Sequence, residues 1–178
     1  TAAFDAIVLC GGRGSRLGGV NKSGVEVGGA ALLARARAAV AEAGTTVVVG
    51  AEVGGGPVHA VAAGLPRVGA AVVVLLACDM PFVTSATVAR LRNALAGAAD
   101  ADGVLLSDDT GRRQYLAGAY RTSALRESVL AVGTTEDQSM RRLVEDLRLR
   151  PLPAQADEAM DCDTWDDVHR AAQRLEDG

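Results

Sequence analysis

The sequence has few aromatic residues and no long hydrophobic run. Phe, Trp and Tyr make up 3% of its 178 residues, so a buried core has to be built mainly from Ala, Val and Leu. The longest apolar run, AAVVVLLAC at 70–78, has the length of a strand and is far shorter than the roughly 20 residues that cross a bilayer. We therefore expect no membrane partner. Because no basic and then apolar segment opens the chain, we also expect a cytoplasmic location.

The sequence also has few cysteines and no net positive charge. Cys10, Cys78 and Cys162 are far apart in the sequence and form no C-x-x-C pair, which argues against a disulfide framework. We interpret them as small buried apolar residues, with a three-thiolate metal site as the alternative. The formal net charge of −4 argues against a broad nucleic-acid-binding surface, so we expect no nucleic acid among the partners.

Strand-like and helix-like segments alternate along the whole chain. This order predicts an α/β fold in which helices cover both faces of a mainly parallel sheet, and the length predicts a single domain over 1–178. In such sheets, ligands bind beyond the carboxyl ends of the strands. The predicted strands are 4–10, 45–50, 70–77, 103–107, 114–120 and 148–152. The predicted helices are 30–44, 57–65, 85–98, 122–132, 138–147 and 165–176.

A segment rich in glycine and cations, LCGGRGSRLGGVNKSG at 9–24, follows the first predicted strand. It does not match the dinucleotide fingerprint G-x-G-x-x-G, because Leu17 stands at the third glycine position. It does not match the phosphate loop G-x-x-x-x-G-K-[ST] either, because Asn21 precedes Lys22. Closely spaced glycines nevertheless let backbone N–H groups turn toward an anion, and Arg13, Arg16 and Lys22 add positive charge. The segment therefore predicts a triphosphate-binding loop; the alternative is a surface loop with solvated cations.

Asp79 directly follows the third buried strand and precedes Pro81. A carboxylate at the carboxyl end of a central parallel strand is well placed to hold Mg²⁺ against phosphate oxygens. The alternative role, a cap for the helix at 85, is already available to Thr84 or Ser85. We therefore predict that Asp79 is a metal ligand.

A second group of acids lies in DCDTWDDV at 161–168. In an extended segment, Asp161 and Asp163 point the same way, so Asp163, and with less support Asp161, is a candidate second contact to the metal. Thr164 and Asp167 have the spacing of a capping box, so Asp166 and Asp167 are interpreted as structural residues of a helix start.

Several of these motifs together resemble one family. LCGGRGSRLGGVNKSGVEVGG resembles the signature L-A-G-G-x-x-x-R-M-G-x-x-K of nucleotidyltransferases with a Rossmann-like, GT-A-type fold, and among them most of all the molybdenum cofactor guanylyltransferases. GGPVHAVAAGL at 55–65, CDMPF at 78–82, GRRQYLAGAYR at 111–121 and DCDTWDDV are similar to further segments of that family. The resemblance thus extends over most of the chain.

The resemblance implies Mg²⁺-dependent transfer of GMP from GTP to the terminal phosphate of molybdenum-loaded molybdopterin, with release of pyrophosphate. It implies that a strand within 111–121 faces the acceptor, and that a molybdenum-inserting enzyme and an apo-oxidoreductase are protein partners. Arg16, Lys22 and Asp79 would be catalytic, and Asp79 and Asp163 would hold the metal. The nucleotide-binding residues would be Leu9, Cys10, Gly11, Gly12, Gly14, Arg16, Lys22 and Asp79.

The sequence departs from the family pattern at two places. Asn21 replaces an acid that usually precedes the lysine, and the segment after the second strand is short, with Glu52 as its one acid. The alternatives are a cytidylyltransferase for the same pterin, a transferase acting on a sugar phosphate or phospholactate, or an inactive GTP-binding partner. The Gly11–Gly12 pair favours GTP, because the relatives that use CTP usually have L-A-A-G.

Overall fold

The computed structural model describes residues 4–11 and 20–176. The strands in these ranges are β1 (Asp5–Cys10), β2 (Glu26–Val27), β3 (Ala30–Ala31), β4 (Thr46–Gly50), β5 (Val72–Ala77), β6 (Gly103–Ser107), β7 (Arg113–Arg121) and β8 (Leu149–Pro153). The α-helices are α1 (Leu32–Ala39), α2 (Gly56–Gly64), α3 (Ser85–Ala96), α4 (Thr122–Val132), α5 (Met140–Leu143) and α6 (Trp165–Glu176).

Six of these strands form one sheet in the order β4–β1–β5–β7–β6–β8, and β2 and β3 form a separate short hairpin. Strand β1 pairs in parallel with β4 and β5, and β6 pairs in parallel with β8. Strand β7 runs antiparallel to both of its neighbours, β5 and β6. The predicted α/β class and mainly parallel sheet are therefore confirmed.

Helices cover both faces of the main sheet, because successive strand residues point to opposite sides. On β1, Ala6 and Val8 face a cluster that includes Leu91 of α3 and residues of α1. Ile7 and Leu9 face the other cluster, which α2, α4 and α5 complete. Burial on both faces explains why the central strands read as continuous apolar runs. Among the described residues, no helix has the length and apolar character that a membrane span requires.

A third, smaller cluster joins α6 to the β2–β3 hairpin. Val27 of the hairpin and Leu32 of α1 pack against Val168 and Ala171 of α6. The start of α6 has the predicted capping box: Thr164 N donates to Asp167 Oδ2 at 2.8 Å, and Asp167 N donates to Thr164 Oγ1 at 3.2 Å. This packing brings the segment before α6 next to the segment before the hairpin.

Two predicted helices are shorter in the structure. The helix predicted at 30–44 is confined to α1, because residues 30 and 31 pair in β3 and the chain turns after Ala39. The helix predicted at 138–147 is reduced to the single turn of α5. Its end is set by the next strand: Arg148 N donates to Asp102 Oδ2 at 2.9 Å, and Asp102 N donates to Arg148 O at 2.9 Å. The chain has to straighten to make these bonds, so the apolar spacing predicts the buried positions but not the helix length.

Asp5 ties loops together at the edge of the sheet where β1 begins. Its buried carboxylate accepts hydrogen bonds from the backbone N–H groups of Thr45, Gly69 and Ala70 at 2.7–2.8 Å. Burial pushes the pKa of Asp5 upward, but these N–H groups outweigh burial and hold the pKa below its ordinary value of 3.8. This edge is opposite to the one at which ligands are expected.

Candidate active site

A cavity of about 440 Å³ opens at the edge of the sheet where β1 and β5 end. Because β7 is antiparallel to β5, it begins at this same edge. The cavity therefore lies where parallel α/β sheets bind their ligands. Its lining residues are Leu9, Cys10, Gly11, Lys22, Pro57, Ala77, Cys78, Asp79, Met80, Arg112, Arg113, Gln114, Tyr115, Leu116, Met140, Asp161 and Asp163.

Lys22 joins the two predicted metal-binding carboxylates. Its Nζ lies 3.0 Å from Asp79 Oδ2 and 2.7 Å from Asp163 Oδ1. The Lys22 side chain is 12% exposed, compared with 22% for Asp79 and 45% for Asp163. Burial lowers the pKa of Lys22, but the hydrogen bonds and charges of Asp163 and Asp79 outweigh burial and raise the pKa above its ordinary value of 10.5. Lys22 is thus a permanently charged ammonium group at neutral pH.

The backbone holds Lys22 in a short 3₁₀ turn, Lys22–Gly24. Asn21 caps this turn: its Oδ1 accepts from Ser23 N at 3.1 Å and from Ser23 Oγ at 2.8 Å. Asn and Asp are equally good caps. The asparagine at the position where the resembled family has an acid therefore keeps the turn while it leaves out one negative charge.

Asp79 lies in the turn after β5. One backbone hydrogen bond places Asp161 and Asp163 next to this turn. Cys162 N donates to Asp79 O at 2.8 Å, so the residues on either side of Cys162 flank this turn. Asp161 and Asp163 both line the cavity, as the alternation of an extended segment predicts. Asp79 is not a helix cap, because Thr84 and Thr87 form a capping box at the start of α3.

Three carboxylates, those of Asp79, Asp161 and Asp163, line the cavity. Burial raises the pKa of Asp161, and the carboxylates of Asp163 and Asp79 raise it further. Arg112 opposes this effect only weakly, since its Nη2 is 3.9 Å from Asp161 Oδ2 and its side chain is 69% exposed. An added cation would relieve the repulsion among the three carboxylates.

The donors present fit Mg²⁺. Carboxylate oxygens are the ligands that Mg²⁺ prefers, and it is usually held by one or two carboxylates together with water and phosphate oxygens. Asp79 and Asp163 supply two carboxylates that contact one common nitrogen. Within residues 4–11 and 20–176, no group of three or more His, Cys, Asp or Glu side chains is placed to hold a metal ion. Water and phosphate oxygens would complete the coordination of a metal ion held by these two carboxylates.

The structure places part of the predicted nucleotide-binding segment on the cavity wall. Leu9, Cys10 and Gly11, at the end of β1, line the cavity. Gly11 approaches the end of β4 closely, and a Cβ built on it would lie 3.4 Å from Gly50 O. The other predicted residues of this segment, Gly12, Gly14 and Arg16, lie outside the described residues.

Two of the three thiols meet at this edge of the sheet. All three cysteines are buried and free, which agrees with their interpretation as small buried residues. The neighbouring Cys10 thiol, together with burial, raises the pKa of Cys78 well above its ordinary value.

No individual residue at the start of β7, which forms one wall of the cavity, was predicted from the sequence. Arg112, Arg113 and Tyr115 line the cavity there, because β7 pairs with β5 up to Ala117 and its first residues extend past the end of β5. The amino-acid composition contains a further indication of the importance of Lys22. The chain contains this one lysine beside 17 arginines, and that lysine lies in the cavity.

Comparison with known proteins agrees with this geometry. The model of the MobA-like NTP transferase domain family matches residues 6–152. Molybdopterin-guanine dinucleotide biosynthesis protein A from Archaeoglobus fulgidus aligns with a TM-score of 0.75 and 20% identity over 98% of this chain and 100% of that one. The 2-C-methyl-D-erythritol 4-phosphate cytidylyltransferase from Thermus thermophilus aligns with a TM-score of 0.70 and 18% identity over 96% and 98%. Rv0371c from Mycobacterium tuberculosis aligns with a TM-score of 0.71 and 25% identity over 96% and 97%. No curated protein sequence matches the chain.

Proposed function

The chain belongs to the MobA-like NTP transferase domain family, and we propose that it transfers GMP from GTP to the terminal phosphate of molybdenum-loaded molybdopterin. The products are the guanine dinucleotide form of the cofactor and pyrophosphate. Family membership supports the nucleotidyl transfer. The choice of GTP and of the pterin acceptor rests on the sequence motifs and on the likeness to the Archaeoglobus protein.

The observation that carries the proposal is the contact of Lys22 with both Asp79 and Asp163 beside a cavity at the strand ends. In the proposed reaction an acceptor phosphate oxygen attacks the α-phosphorus of GTP, and pyrophosphate leaves from the opposite side. Both reactants are anions, so the enzyme has to hold them together against their repulsion. A site of this kind works by positioning and by charge neutralisation.

Asp79 and Asp163 are the residues that would hold Mg²⁺. The bound metal would supply charge neutralisation for the phosphate groups that meet in the cavity. The Lys22 ammonium has three N–H donors. Asp79 and Asp163 engage two of these donors, and the third would bind an oxygen of the α-phosphate, where negative charge grows during transfer.

The remaining contacts to the nucleotide would come from the backbone. Leu9, Cys10 and Gly11 line the cavity. We propose that the main-chain groups of these residues, together with those of Gly12 and Gly14, pack against the guanine and ribose. Arg16 would neutralise the leaving pyrophosphate. Cytidylyl transfer is the second candidate, because the fold is shared with the Thermus cytidylyltransferase.

We propose that the acceptor enters along the wall formed by the start of β7, where Arg112 and Arg113 line the cavity. Two exposed arginines suit the terminal phosphate of a pterin, since guanidinium groups bind phosphate through paired hydrogen bonds. The enzyme that inserts molybdenum and an apo-oxidoreductase are the protein partners that this reaction implies. The cytoplasm is the compartment we propose for it.

Release of pyrophosphate tests the proposal directly. Purified protein is given Mg²⁺, molybdenum-loaded molybdopterin and one nucleoside triphosphate at a time, and the pterin product is identified by mass. We expect release with GTP alone and a product heavier by one GMP. Release with CTP would replace guanylyl by cytidylyl transfer. Binding of GTP without release would contradict the proposed acceptor.

The single lysine allows a second test that does not depend on the acceptor. In alkaline solution, where a small fraction of the Lys22 amine is neutral, an amine-directed reagent such as pyridoxal 5′-phosphate with borohydride should label the Lys22 peptide slowly. Peptide mapping separates this label from any at the amino terminus. We expect GTP with Mg²⁺ to protect Lys22 by at least tenfold in rate. Equal labelling with and without nucleotide, at concentrations where GTP is bound, would remove Lys22 from the phosphate site.

A further inference from the structure

Cys10 and Cys78 occupy matched positions on two neighbouring strands. Strands β1 and β5 pair in parallel with Leu9 opposite Ala77, and Cys78 N continues the ladder by donating to Leu9 O at 3.0 Å. The next residue in each segment is a cysteine: Cys10 ends β1, and Cys78 directly follows β5. Residues in register on parallel strands point to the same side of the sheet, and both cysteines pack in the same apolar cluster.

This register brings the two thiols close enough to be joined. Neighbouring strands lie about 4.8 Å apart, and disulfides join residues whose Cα atoms are about 4.4–6.8 Å apart. Both cysteines are free. The pKa of Cys10 is lowered and that of Cys78 is raised, in each case chiefly by the other thiol.

Both cysteines border the cavity, which is the side from which a small solute would approach them. Cys10 and Cys78 are only 6% and 3% exposed, but both line the cavity at the ends of the strands. Cys162 is fully buried in the separate cluster around α6, and it is not among the residues that line this cavity. The third cysteine therefore serves as an internal reference within the described part of the chain.

We propose that Cys10 and Cys78 form a redox modification site, in which a small peroxide converts the two thiols to a disulfide across the ends of β1 and β5. One thiol sulfur attacks a peroxide oxygen, the O–O bond breaks, and a sulfenic acid and one water result. The second thiol attacks the sulfenic sulfur, the S–S bond forms, and a second water leaves. The peroxide takes up two electrons, and both thiol protons end in water. A dithiol reductant reverses the bond by exchange.

The disulfide would act on the active site through the neighbours of the two cysteines. Cys10 lies directly before Gly11, and Cys78 directly before Asp79, so a bond between them shifts the backbone that lines the cavity. Displacements of about 1 Å at a site that depends on positioning can cost about 10²-fold in rate. We expect oxidation to weaken the binding of GTP with Mg²⁺ at least tenfold. This effect rests on the proposed function, whereas formation of the disulfide does not.

The test treats the folded protein with hydrogen peroxide, blocks the remaining thiols in denaturant, and maps the peptides by mass. We expect the number of titratable thiols to fall from three to one. The remaining thiol, which carries the blocking reagent, should be Cys162. The Cys10 and Cys78 peptides should be linked and lighter by two hydrogens, and dithiothreitol should restore all three thiols. In Cys162→Ala the number of titratable thiols should fall from two to none. In Cys78→Ser no intramolecular disulfide should form.

Binding of GTP with Mg²⁺ is then measured on the reduced and the oxidised form of each variant, and each oxidised form is compared with its own reduced form. Three thiols left unchanged, separate oxidation of Cys10 and Cys78 to sulfinic acids, or a disulfide that contains Cys162 would each overturn the modification site. A Cys10–Cys78 disulfide with unchanged GTP binding would overturn its coupling to the active site. If the reduced protein binds no nucleoside triphosphate although the disulfide forms, the proposed function fails and the modification site stands.

Discussion

Replacing Lys22 by Met tests the central feature of the active site. Met keeps the length and flexibility of the side chain but removes the ammonium group that contacts Asp79 at 3.0 Å and Asp163 at 2.7 Å. The variant therefore leaves two partly buried carboxylates side by side without their shared cation. We expect a loss of stability and a loss of turnover, for separate physical reasons.

The expected loss of stability lies between two known limits. Removing one partner of a fully buried ion pair costs about 3–5 kcal/mol, whereas an exposed pair contributes about 0–1 kcal/mol. Lys22 is 12% exposed but Asp163 is 45% exposed, so solvent screens part of the effect, and we expect about 1–3 kcal/mol. For a chain of this size that corresponds to a decrease of roughly 3–9 °C in the unfolding midpoint. Turnover should fall by roughly 10²–10³, the usual effect of losing one donor to the transition state.

The pH dependence of this loss follows from the raised pKa of Lys22. A lysine with a raised folded-state pKa contributes its full stabilisation below its unfolded value of 10.5 and loses it only as the pH rises through the folded value. The difference between wild type and Lys22→Met should thus be the same at pH 6.5 and at pH 9. A difference that decreases between these two pH values would contradict a permanently charged Lys22.

Chemical unfolding and pyrophosphate release measure the two effects. Arg112→Met is the matched control, because Arg112 lines the same cavity but its contact with Asp161 is long and exposed; it should lose less than about 1 kcal/mol. Adding Asp163→Asn to Lys22→Met should recover part of the lost stability. Mg²⁺ without nucleotide should stabilise Lys22→Met more than wild type, because the two carboxylates no longer have the ammonium group. Wild-type stability and turnover in Lys22→Met, or a double variant with strictly additive losses, would contradict the role of Lys22 as the shared cation of the two carboxylates.

Three further changes test other parts of the structure. Asp79→Ala should abolish Mg²⁺-dependent pyrophosphate release while circular dichroism stays that of the wild type; normal release would end the assignment of Asp79 as a metal ligand. Asp5→Asn should lower the free energy of unfolding by roughly 2–4 kcal/mol at pH 7, because charged-group hydrogen bonds are lost. Since the pKa of Asp5 is depressed, its stabilisation is present above pH 3.8 and is lost as the pH falls through the folded value, so urea unfolding of the two proteins should converge in strong acid. Gly64→Ala should cost roughly 1–3 kcal/mol, because the new Cβ would lie 2.9 Å from Ile7 Cγ2; a stabilised variant in thermal unfolding would show that α2 can move away from β1.

Features set by neighbouring residues could be predicted from the sequence. The continuous apolar runs of β1 and β5 indicate strands buried on both faces. In the structure, residues of both strands pack in the clusters on either side of the sheet. A cap acts within one helical turn, so spacing alone identified Thr164; Thr84 was one of two candidates, with Ser85, and the structure has Thr84 as the cap. The carboxyl ends of predicted parallel strands indicated the edge of the sheet at which the cavity lies. All of these depend on contacts between residues close in sequence, or on a rule that holds for every sheet of this class.

The three charged groups of the site come together only in the tertiary structure. Lys22 is 57 residues from Asp79 and 141 residues from Asp163, and no periodicity in the chain carries information about contacts so distant. Their meeting depends on α6 packing against the β2–β3 hairpin and on the bond from Cys162 N to Asp79 O. The sequence identified each of the three residues as a candidate, but it assigned Lys22 to the phosphates and not to the two carboxylates.

The order of the strands was likewise decided by packing. Strand β7 follows β6 in the chain but inserts between β5 and β6, and this position brings Arg112 and Arg113 to the cavity. The same pairing of distant strands placed Cys10 beside Cys78, although α1, β4 and α2 lie between them in the chain. By itself the sequence determined the fold class, the buried strands and the candidate residues, because these follow from local composition and spacing. Which candidates touch was decided by strand order and register, since these depend on how the whole core packs.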